Sequence, residues 1–210
     1  TPAGRIETLR VFSDGPRFED FTLRLGPVGG GGKDILLAPV PAPGGTAMAG
    51  RAGDDRLFGN AGGDTLRGGA GDDRLEGYGG ADALVGQAGD DWLHGGAGLD
   101  TLDGGAGADT LVGGAGPGFL LGRSGSDRYE VAVSGTVAIN EVGGDAPSTP
   151  HRDVVALSGP DSFGALDVSR LGQDLRIAQP AGTVTLRGHF SADGTRRIEA
   201  LELGDGGQWS

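Results

Sequence analysis

Aspartate is the residue of this chain whose abundance and spacing could do chemistry. The 210 residues include 29 Asp and Glu against 17 Lys and Arg, for a formal net charge of −12. Eight of the aspartates recur at intervals of nine or eighteen residues, namely Asp55, Asp64, Asp73, Asp82, Asp91, Asp100, Asp109 and Asp127. Carboxylate oxygens are ligands for hard divalent cations, although Asp also serves simply to close tight turns. The absence of Cys excludes thiolate metal sites and disulfides.

A strict nine-residue period positions these aspartates. Residues 50–130 divide without insertion or loss into the nonapeptides GRAGDDRLF, GNAGGDTLR, GGAGDDRLE, GYGGADALV, GQAGDDWLH, GGAGLDTLD, GGAGADTLV, GGAGPGFLL and GRSGSDRYE. Positions one and four are always Gly, position six is Asp except at Gly118, and position eight is Leu until Tyr129. Each copy predicts a six-residue turn and a three-residue strand with one inward side chain. We expect the glycines at positions one and four to supply positive φ angles.

The composition excludes a conventional globular core over the whole chain. Gly contributes 46 residues and Pro 11, whereas aromatic residues make up only 5%. Ordering the backbone costs about 1–2 kcal/mol per residue, and one buried Leu in nine residues returns only about 1.5–3 kcal/mol. Something besides apolar burial must therefore stabilise the repeats, and the periodic carboxylates favour a bound cation.

The nonapeptides resemble the RTX, or haemolysin-type, calcium-binding repeat GGxGxDxUx of bacterial proteins exported by type I systems. The resemblance implies an all-β fold, a right-handed parallel β-roll of nine nonapeptide repeats with β-rich flanking segments. Two nonapeptides complete one coil, so that turns eighteen residues apart stack on one edge. Ca²⁺ is expected between stacked turns, bound by Asp side chains, by the carbonyls of positions two and four of one turn, and by those of positions one and three of the next.

Applied to this chain, the resemblance implies a specific set of ligands. The side-chain ligands are the eight aspartates named above. The first site would combine Arg51, Gly53 and Asp55 with Gly68, Ala70 and Asp73. The backbone ligands of all sites are Arg51, Gly53, Asn60, Gly62, Gly68, Gly69, Ala70, Gly71, Gly77, Tyr78, Gly79, Gly80, Gly86, Gln87, Ala88, Gly89, Gly95, Ala97, Gly104, Gly105, Ala106, Gly107, Gly122 and Ser124.

The eighteen-residue stacking rule sorts the aspartates into two edges. The first edge carries Asp55, Asp73, Asp91, Asp109 and Asp127, and the second edge carries Asp64, Asp82 and Asp100. Six gaps between turns then have Asp on both sides, which predicts about six Ca²⁺ ions, whose +12 would offset the formal −12. A seventh gap has only Asp100, because Gly118 stands where the next Asp belongs. The competing interpretation is that these aspartates cap Gly-rich turns without metal.

The period divides the chain into three parts. Residues 1–49 form an N-terminal β-rich flank and a Pro/Gly linker, residues 50–130 the RTX calcium-binding β-roll, and residues 131–210 a β-rich C-terminal capping region. In that cap, β-like runs are expected at 136–139, 154–157, 174–178, 183–187 and 198–203. The run GGGGKD at residues 29–34 fails as a phosphate-binding loop, because Pro27 replaces its first Gly.

The functional interpretation is a calcium-binding module that folds outside the cell and supports the secretion and stability of a larger protein. Its expected partners are calcium and the type I secretion machinery, and its location is extracellular, free or at the cell surface. Two alternatives stay open: an adhesin or surface-layer segment that provides cohesion, and the accessory domain of a secreted hydrolase. The chain opens at Thr1, as a fragment of a longer protein would.

Other functional classes have weak support. No basic stripe could neutralise the phosphates of a nucleic acid, and no apolar run reaches membrane-spanning length. We expect no enzyme, because the three His residues are scattered. The least poor catalytic candidate is His151 with Asp153, beside Ser148.

Overall fold

The computed structural model describes residues 7–12, 18–24, 28–39, 44–132, 136–140, 152–158, 167–179, 182–187, 198–203 and 208–209. Four strands precede or enter the repeats: β1 (Glu7–Phe12), β2 (Phe18–Arg24), β3 (Asp34–Leu37) and β4 (Ala47–Ala52). The repeats supply β5 (Arg56–Phe58), β6 (Thr65–Ala70), β7 (Arg74–Gly79), β8 (Ala83–Ala88), β9 (Trp92–Ala97), β10 (Asp100–Ala106), β11 (Thr110–Gly114), β12 (Gly118–Ser124) and β13 (Arg128–Ala132). Seven more follow: β14 (Thr136–Asn140), β15 (Val154–Ser158), β16 (Asp167–Leu171), β17 (Asp174–Gln179), β18 (Gly182–Arg187), β19 (Ala200–Leu203) and β20 (Gln208–Trp209).

Successive repeats alternate between two sheets. One sheet has the order β1-β2-β3-β5-β7-β9-β11-β13-β15-β19-β20, and the other has the order β16-β17-β18-β14-β12-β10-β8-β6-β4. Within the repeats all neighbours are parallel and offset by eighteen residues, as in Leu57 opposite Leu75 and Leu66 opposite Leu84. The prediction of an all-β parallel β-roll is confirmed.

The core is a double file of position-eight side chains between the two sheets. The eight Leu residues of this column and Tyr129 are fully buried. Their spacing follows from the register, because one apolar residue per strand always faces its equivalent in the next coil.

The strands are longer than the three residues predicted. Most span five to seven residues and continue through positions one to three of the next nonapeptide, so that Gly69 pairs with Gln87 and Ala70 with Ala88. The glycines there permit close backbone approach, so the ladder continues until the turn at positions four to six.

The stack also continues on both sides of the nine repeats. On the N-terminal side, β3 places Leu36 opposite Leu57, and β4 places Met48 opposite Leu66. On the C-terminal side, Ile139 pairs with Leu120 and Val155 with Tyr129. All of these apolar side chains belong to the same buried cluster as the Leu files.

Antiparallel strands finish the sheets. At the N-terminal end β1 pairs with β2, and at the C-terminal end β16, β17 and β18 form a meander while β19 pairs with β20. The expected runs of the cap correspond to β14, β15, β17, β18 and β19. The three-part division of the chain stays a prediction. Among the described residues there is no helix of the length and apolarity that crossing a membrane requires.

Candidate metal centre

The first edge holds its aspartates in a hydrogen-bonded ladder. Each of them directly precedes a strand, and the backbone N–H of each one before Asp127 donates to Oδ1 of the Asp eighteen residues later. The N···O distances are 2.7 Å for Asp55 to Asp73, 2.8 Å for Asp73 to Asp91, 2.9 Å for Asp91 to Asp109 and 2.9 Å for Asp109 to Asp127. One carboxylate oxygen of each rung is thereby fixed by the backbone of the preceding rung.

The second edge repeats this geometry over a shorter run. Asp64 donates its N–H to Asp82 Oδ1 at 2.7 Å, and Asp82 to Asp100 Oδ1 at 3.0 Å. The ladder then stops, because the N–H of Asp100 donates instead to the carbonyl of Pro117 at 3.2 Å. Each of the six gaps predicted to have Asp on both sides is therefore crossed by a hydrogen bond from one Asp N–H to the Oδ1 of the next Asp. The seventh gap, after Asp100, has no such bond.

The second carboxylate oxygen points into the turn. These aspartates are at most 2% exposed. Within the described repeats, Oδ2 has no hydrogen-bond partner in Asp55, Asp73, Asp82, Asp91, Asp100 and Asp109. A buried polar atom without a partner costs about 1–3 kcal/mol, and more when it is charged. A file of such oxygens at the strand spacing of about 4.8 Å therefore calls for counter-charge.

Burial consequently disturbs the ionisation of these acids. Desolvation raises the pKa of Asp91 to about 8 against the opposing hydrogen bond from Asp73, and the charges of Asp109 and Asp73 add to the rise. It likewise raises the pKa of Asp55 to about 7 and that of Asp73 to about 6. On the second edge burial raises the pKa of Asp82 to about 6. The turns therefore hold negative charge poorly without a cation.

Position-one glycine leaves the space into which these oxygens converge. A Cβ on Gly50 would overlap Asp55 Oδ2 and lie 2.8 Å from the carbonyl oxygen of Gly68 in the next turn. At Gly86 it would overlap Asp91 Oδ2 and lie 2.6 Å from the carbonyl oxygen of Gly104. A carboxylate oxygen and a carbonyl oxygen of adjacent turns thus face one small space, as a hard cation requires.

The expected positions of positive φ are partly wrong. Position-four glycines such as Gly53 and Gly71 have it, but the position-one glycines do not. Instead, position two is left-handed even where the residue is not Gly, with φ of 91° at Arg51, 71° at Tyr78, 89° at Gln87 and 82° at Arg123. Position one needs Gly for room rather than for backbone angle.

The predicted backbone ligands lie in these same turns. The carbonyl of Ala70 accepts the N–H of Gly53 at 2.7 Å, and that of Ala88 accepts the N–H of Gly71 at 2.8 Å. A carbonyl has a second lone pair, so it can still bind a cation. The described residues contain no cluster of three or more His, Asp or Glu side chains suited to a metal. An ion between the turns would therefore take part of its shell from the backbone.

One predicted turn departs from the others. Asn60 lacks positive φ, and its own Oδ1 accepts the N–H of Gly62 at 2.7 Å. Its backbone N–H donates to Asp64 Oδ2 at 2.6 Å. Asp64 is therefore satisfied locally, unlike its equivalents further along the second edge.

Sequence reasoning missed a further rung on the first edge. Residues 29–37, GGGGKDILL, fit the nonapeptide template, and Asp34 donates its N–H to Asp55 Oδ1 at 2.7 Å. A Cβ on Gly29 would overlap the carbonyl oxygen of Gly50, as in the regular turns. The signal was visible in the sequence, but three inserted residues, 38–40, break the period. Asp55 is thus not the end of its edge.

The ladder also extends into the cap. Asp127 donates its N–H to Asp153 Oδ1 at 2.9 Å, and Asp153 donates to Glu199 Oε2 at 2.7 Å. These partners follow 26 and 46 residues later. No fixed spacing could have revealed them.

Comparison with protein families supports the assignment of the repeats. A family model of four copies of the RTX calcium-binding nonapeptide repeat matches residues 49–84 and again 85–120. Residues 49–120 are RTX calcium-binding repeats. The RTX turns are therefore calcium-binding and structural rather than catalytic in type. No curated protein matches the chain.

The weak catalytic candidate gains nothing from the structure. His151, Ser148 and His189 lie outside the described residues. His94 is described, and its ring meets Trp92 edge-on at 5.6 Å on the outer face of a sheet.

Proposed function

We propose that this chain is a calcium-dependent folding module of a larger secreted bacterial protein. It is exported as an unfolded chain by a type I system at low cytosolic calcium, and it folds when calcium outside the cell fills the turns. A ligand that binds only the folded state stabilises it by mass action. Sites with a dissociation constant of about 10⁻⁴–10⁻³ M would switch between these two compartments.

The observation that carries this proposal is the file of buried Asp Oδ2 atoms without hydrogen-bond partners. At Gly50, Gly77 and Gly86 such an oxygen and a carbonyl oxygen of the next turn border the same space. Without cations, these carboxylates repel one another inside a fold in which each repeat contributes one Leu or Tyr of the position-eight column to the apolar core. With cations, the repulsion becomes attraction, and adjacent coils are held together by the ions they share.

Circular dichroism during a calcium titration tests the proposal. The chain in excess chelator should give a coil spectrum that converts to a β spectrum as Ca²⁺ rises into the millimolar range. Mg²⁺ at equal concentration is the control, because it keeps its waters and prefers strict octahedral geometry. A chain equally folded in chelator would refute the proposal.

We further propose six ions in the six Asp–Asp gaps among the repeats, with the Asp34–Asp55 gap as an additional candidate. The substitution Gly118→Asp tests the count, because it supplies the carboxylate that the second edge lacks. The receiving space exists: a Cβ on Gly113 would meet nothing closer than 3.8 Å. Equilibrium dialysis should find one more bound Ca²⁺ in G118D than in the parent chain. Gly118→Asn, which adds a similar side chain without charge, is the control and should bind no extra ion.

A further inference from the structure

The two edges differ in the residue that precedes the buried carboxylate. On the first edge, position five is Asp in three turns, Asp54, Asp72 and Asp90. On the second edge it is Gly63, Ala81, Leu99 and Pro117, none of which carries charge. Leu99 is 52% exposed. The approach to the first edge is thus acidic, and that to the second edge is neutral.

The three position-five carboxylates are held in place by a second, outer ladder. Asp54 Oδ1 accepts the N–H of Asp72 at 3.1 Å, and Asp72 Oδ1 accepts the N–H of Asp90 at 2.8 Å. Asp90 Oδ1 accepts the N–H of Ala108 at 2.7 Å. The carboxylates of Asp72 and Asp90 therefore stand in order at the surface, one oxygen bound to the backbone.

These outer carboxylates share a groove with the buried ones. A cavity of about 370 Å³ is lined by Asp54, Asp72 and Asp90 together with Asp55 and Asp73. Asp55 and Asp73 are nine-tenths buried or more, and their Oδ2 atoms have no hydrogen-bond partner. The groove thus joins solvent to two of the carboxylates that face the gaps between turns.

Basic residues also line this groove, and two of them, Lys33 and Arg74, form ion pairs with neighbouring carboxylates. Lys33 Nζ forms an ion pair with Asp54 Oδ2 at 2.9 Å. Arg74 lies 4.0 Å from the centroid of the Trp92 ring and donates from Nε to Glu76 Oε1 at 2.9 Å. Arg56 lines the groove as well. Lys33 offsets the charge of Asp54, whereas the carboxylates of Asp72 and Asp90 are held by backbone N–H groups.

We propose that Asp72 and Asp90 raise the affinity of the first edge for divalent cations without being ligands, so that the first edge fills at lower calcium than the second. The inference rests on the proposed function and deepens it. A carboxylate one residue from a ligand stabilises a nearby divalent cation through a partly solvated medium, by about three- to tenfold in affinity. Because the outer carboxylates face solvent, salt screens this contribution.

Trp92 makes the first edge separately observable, because it lines the same groove. Trp209 is the other Trp, so Trp209→Phe leaves Trp92 as the sole Trp donor to bound terbium. In this background, Trp-sensitised terbium luminescence reports the first edge, while equilibrium dialysis counts all bound ions. We expect the Trp92 signal to saturate before the total count does. Coincident saturation would overturn the order of filling.

The decisive variant is Asp72→Asn, whose amide oxygen can still accept the N–H of Asp90. It should raise the terbium concentration at half-maximal Trp92 luminescence by about three- to tenfold, less so at high salt. Asp167→Asn removes the same charge from the exposed strand β16 and should leave the midpoint unchanged. Asp54→Asn should have a smaller effect than Asp72→Asn because of Lys33.

The inference and the proposed function fail in different ways. If the parent chain neither binds terbium nor folds with calcium, the proposed function fails. If it does both, but Asp72→Asn behaves like Asp167→Asn, the outer carboxylates have no role in affinity. A shift that persists unchanged at high salt would assign Asp72 a structural role in its ladder and would also refute the inference.

Discussion

At the scale of the residue, the two carboxylate oxygens of a repeat Asp have different surroundings. Oδ1 accepts a backbone N–H from the preceding coil, and Oδ2 faces the space beside a position-one glycine, as Asp91 does with Asp73 and Gly86. An Asn at position six would keep the first interaction through its amide oxygen and lose the charge. Asp→Asn therefore separates the cation-dependent role from the structural one.

Asp82 and Asp64 provide a matched pair on the second edge. Asp82 borders an Asp on both sides, whereas Asp64 has Asp82 on one side and Thr46 on the other. Asp82→Asn should raise the calcium midpoint for folding by roughly tenfold or more, and Asp64→Asn by less, because one shared gap is affected instead of two. Circular dichroism titrations give both midpoints. Equal shifts would contradict the stacked arrangement of shared ions.

The pKa values predict the pH dependence. The folded-state pKa is about 8 for Asp91 and about 7 for Asp55, against 3.8 for an unperturbed Asp. The empty fold therefore binds protons that the unfolded chain releases, and it gains stability as pH falls from about 8 toward 4. The calcium-free chain should therefore contain more β structure as pH falls from about 8 toward 4. Circular dichroism in excess chelator at pH 8, 7, 6 and 5 checks this, and a spectrum independent of pH would contradict it.

At the scale of the element, the sequence was sufficient where the period is unbroken. Asp and Leu columns eighteen residues apart predicted the register of β5 to β13, the buried files and the six gaps. Residues 29–37 were missed because a three-residue insertion separates them from the nine-residue period. Asp153 was missed because it follows Asp127 by eight residues more than the eighteen-residue spacing. The left-handed angle of position two was missed because Arg51, Tyr78 and Gln87 carry side chains that normally avoid it.

The glycines of position one allow a further matched test. Gly86→Ala would place a Cβ against Asp91 Oδ2 and the carbonyl oxygen of Gly104, where the cation is expected, and should abolish binding in that turn. Gly113 is the position-one residue of the repeat in which Gly118 replaces the Asp. A Cβ in Gly113→Ala therefore meets no carboxylate and has room. That variant should be tolerated or slightly stabilising, by about 0.5–1 kcal/mol. Calcium stoichiometry and thermal unfolding distinguish the two, and equal tolerance would place the ion elsewhere.

At the scale of the whole molecule, the roll and its flanks share one core. The buried cluster runs from Leu36 through the Leu files to Ile139, Leu157 and Leu186. Arg128, in the last repeat, donates to Glu202 in the strand β19 at 2.7 Å. A stack of coils whose ends are covered in this way should order together, because each coil contacts only its neighbours and an uncovered end exposes both strand edge and apolar surface.

Ile139 tests this coupling away from the metal ligands. It is 1% exposed in β14, next to Leu120, and is not one of the predicted ligands. Ile139→Ala should cost about 2–5 kcal/mol of folding free energy, which calcium must then offset, so the midpoint of the calcium titration should rise for the whole roll. Terbium luminescence from Trp92 and far-ultraviolet circular dichroism should shift together. Val168→Ala, at a site 50% exposed in β16, is the control and should shift neither. If Ile139→Ala left the Trp92 signal in place while altering circular dichroism, the repeats would fold independently of their cap.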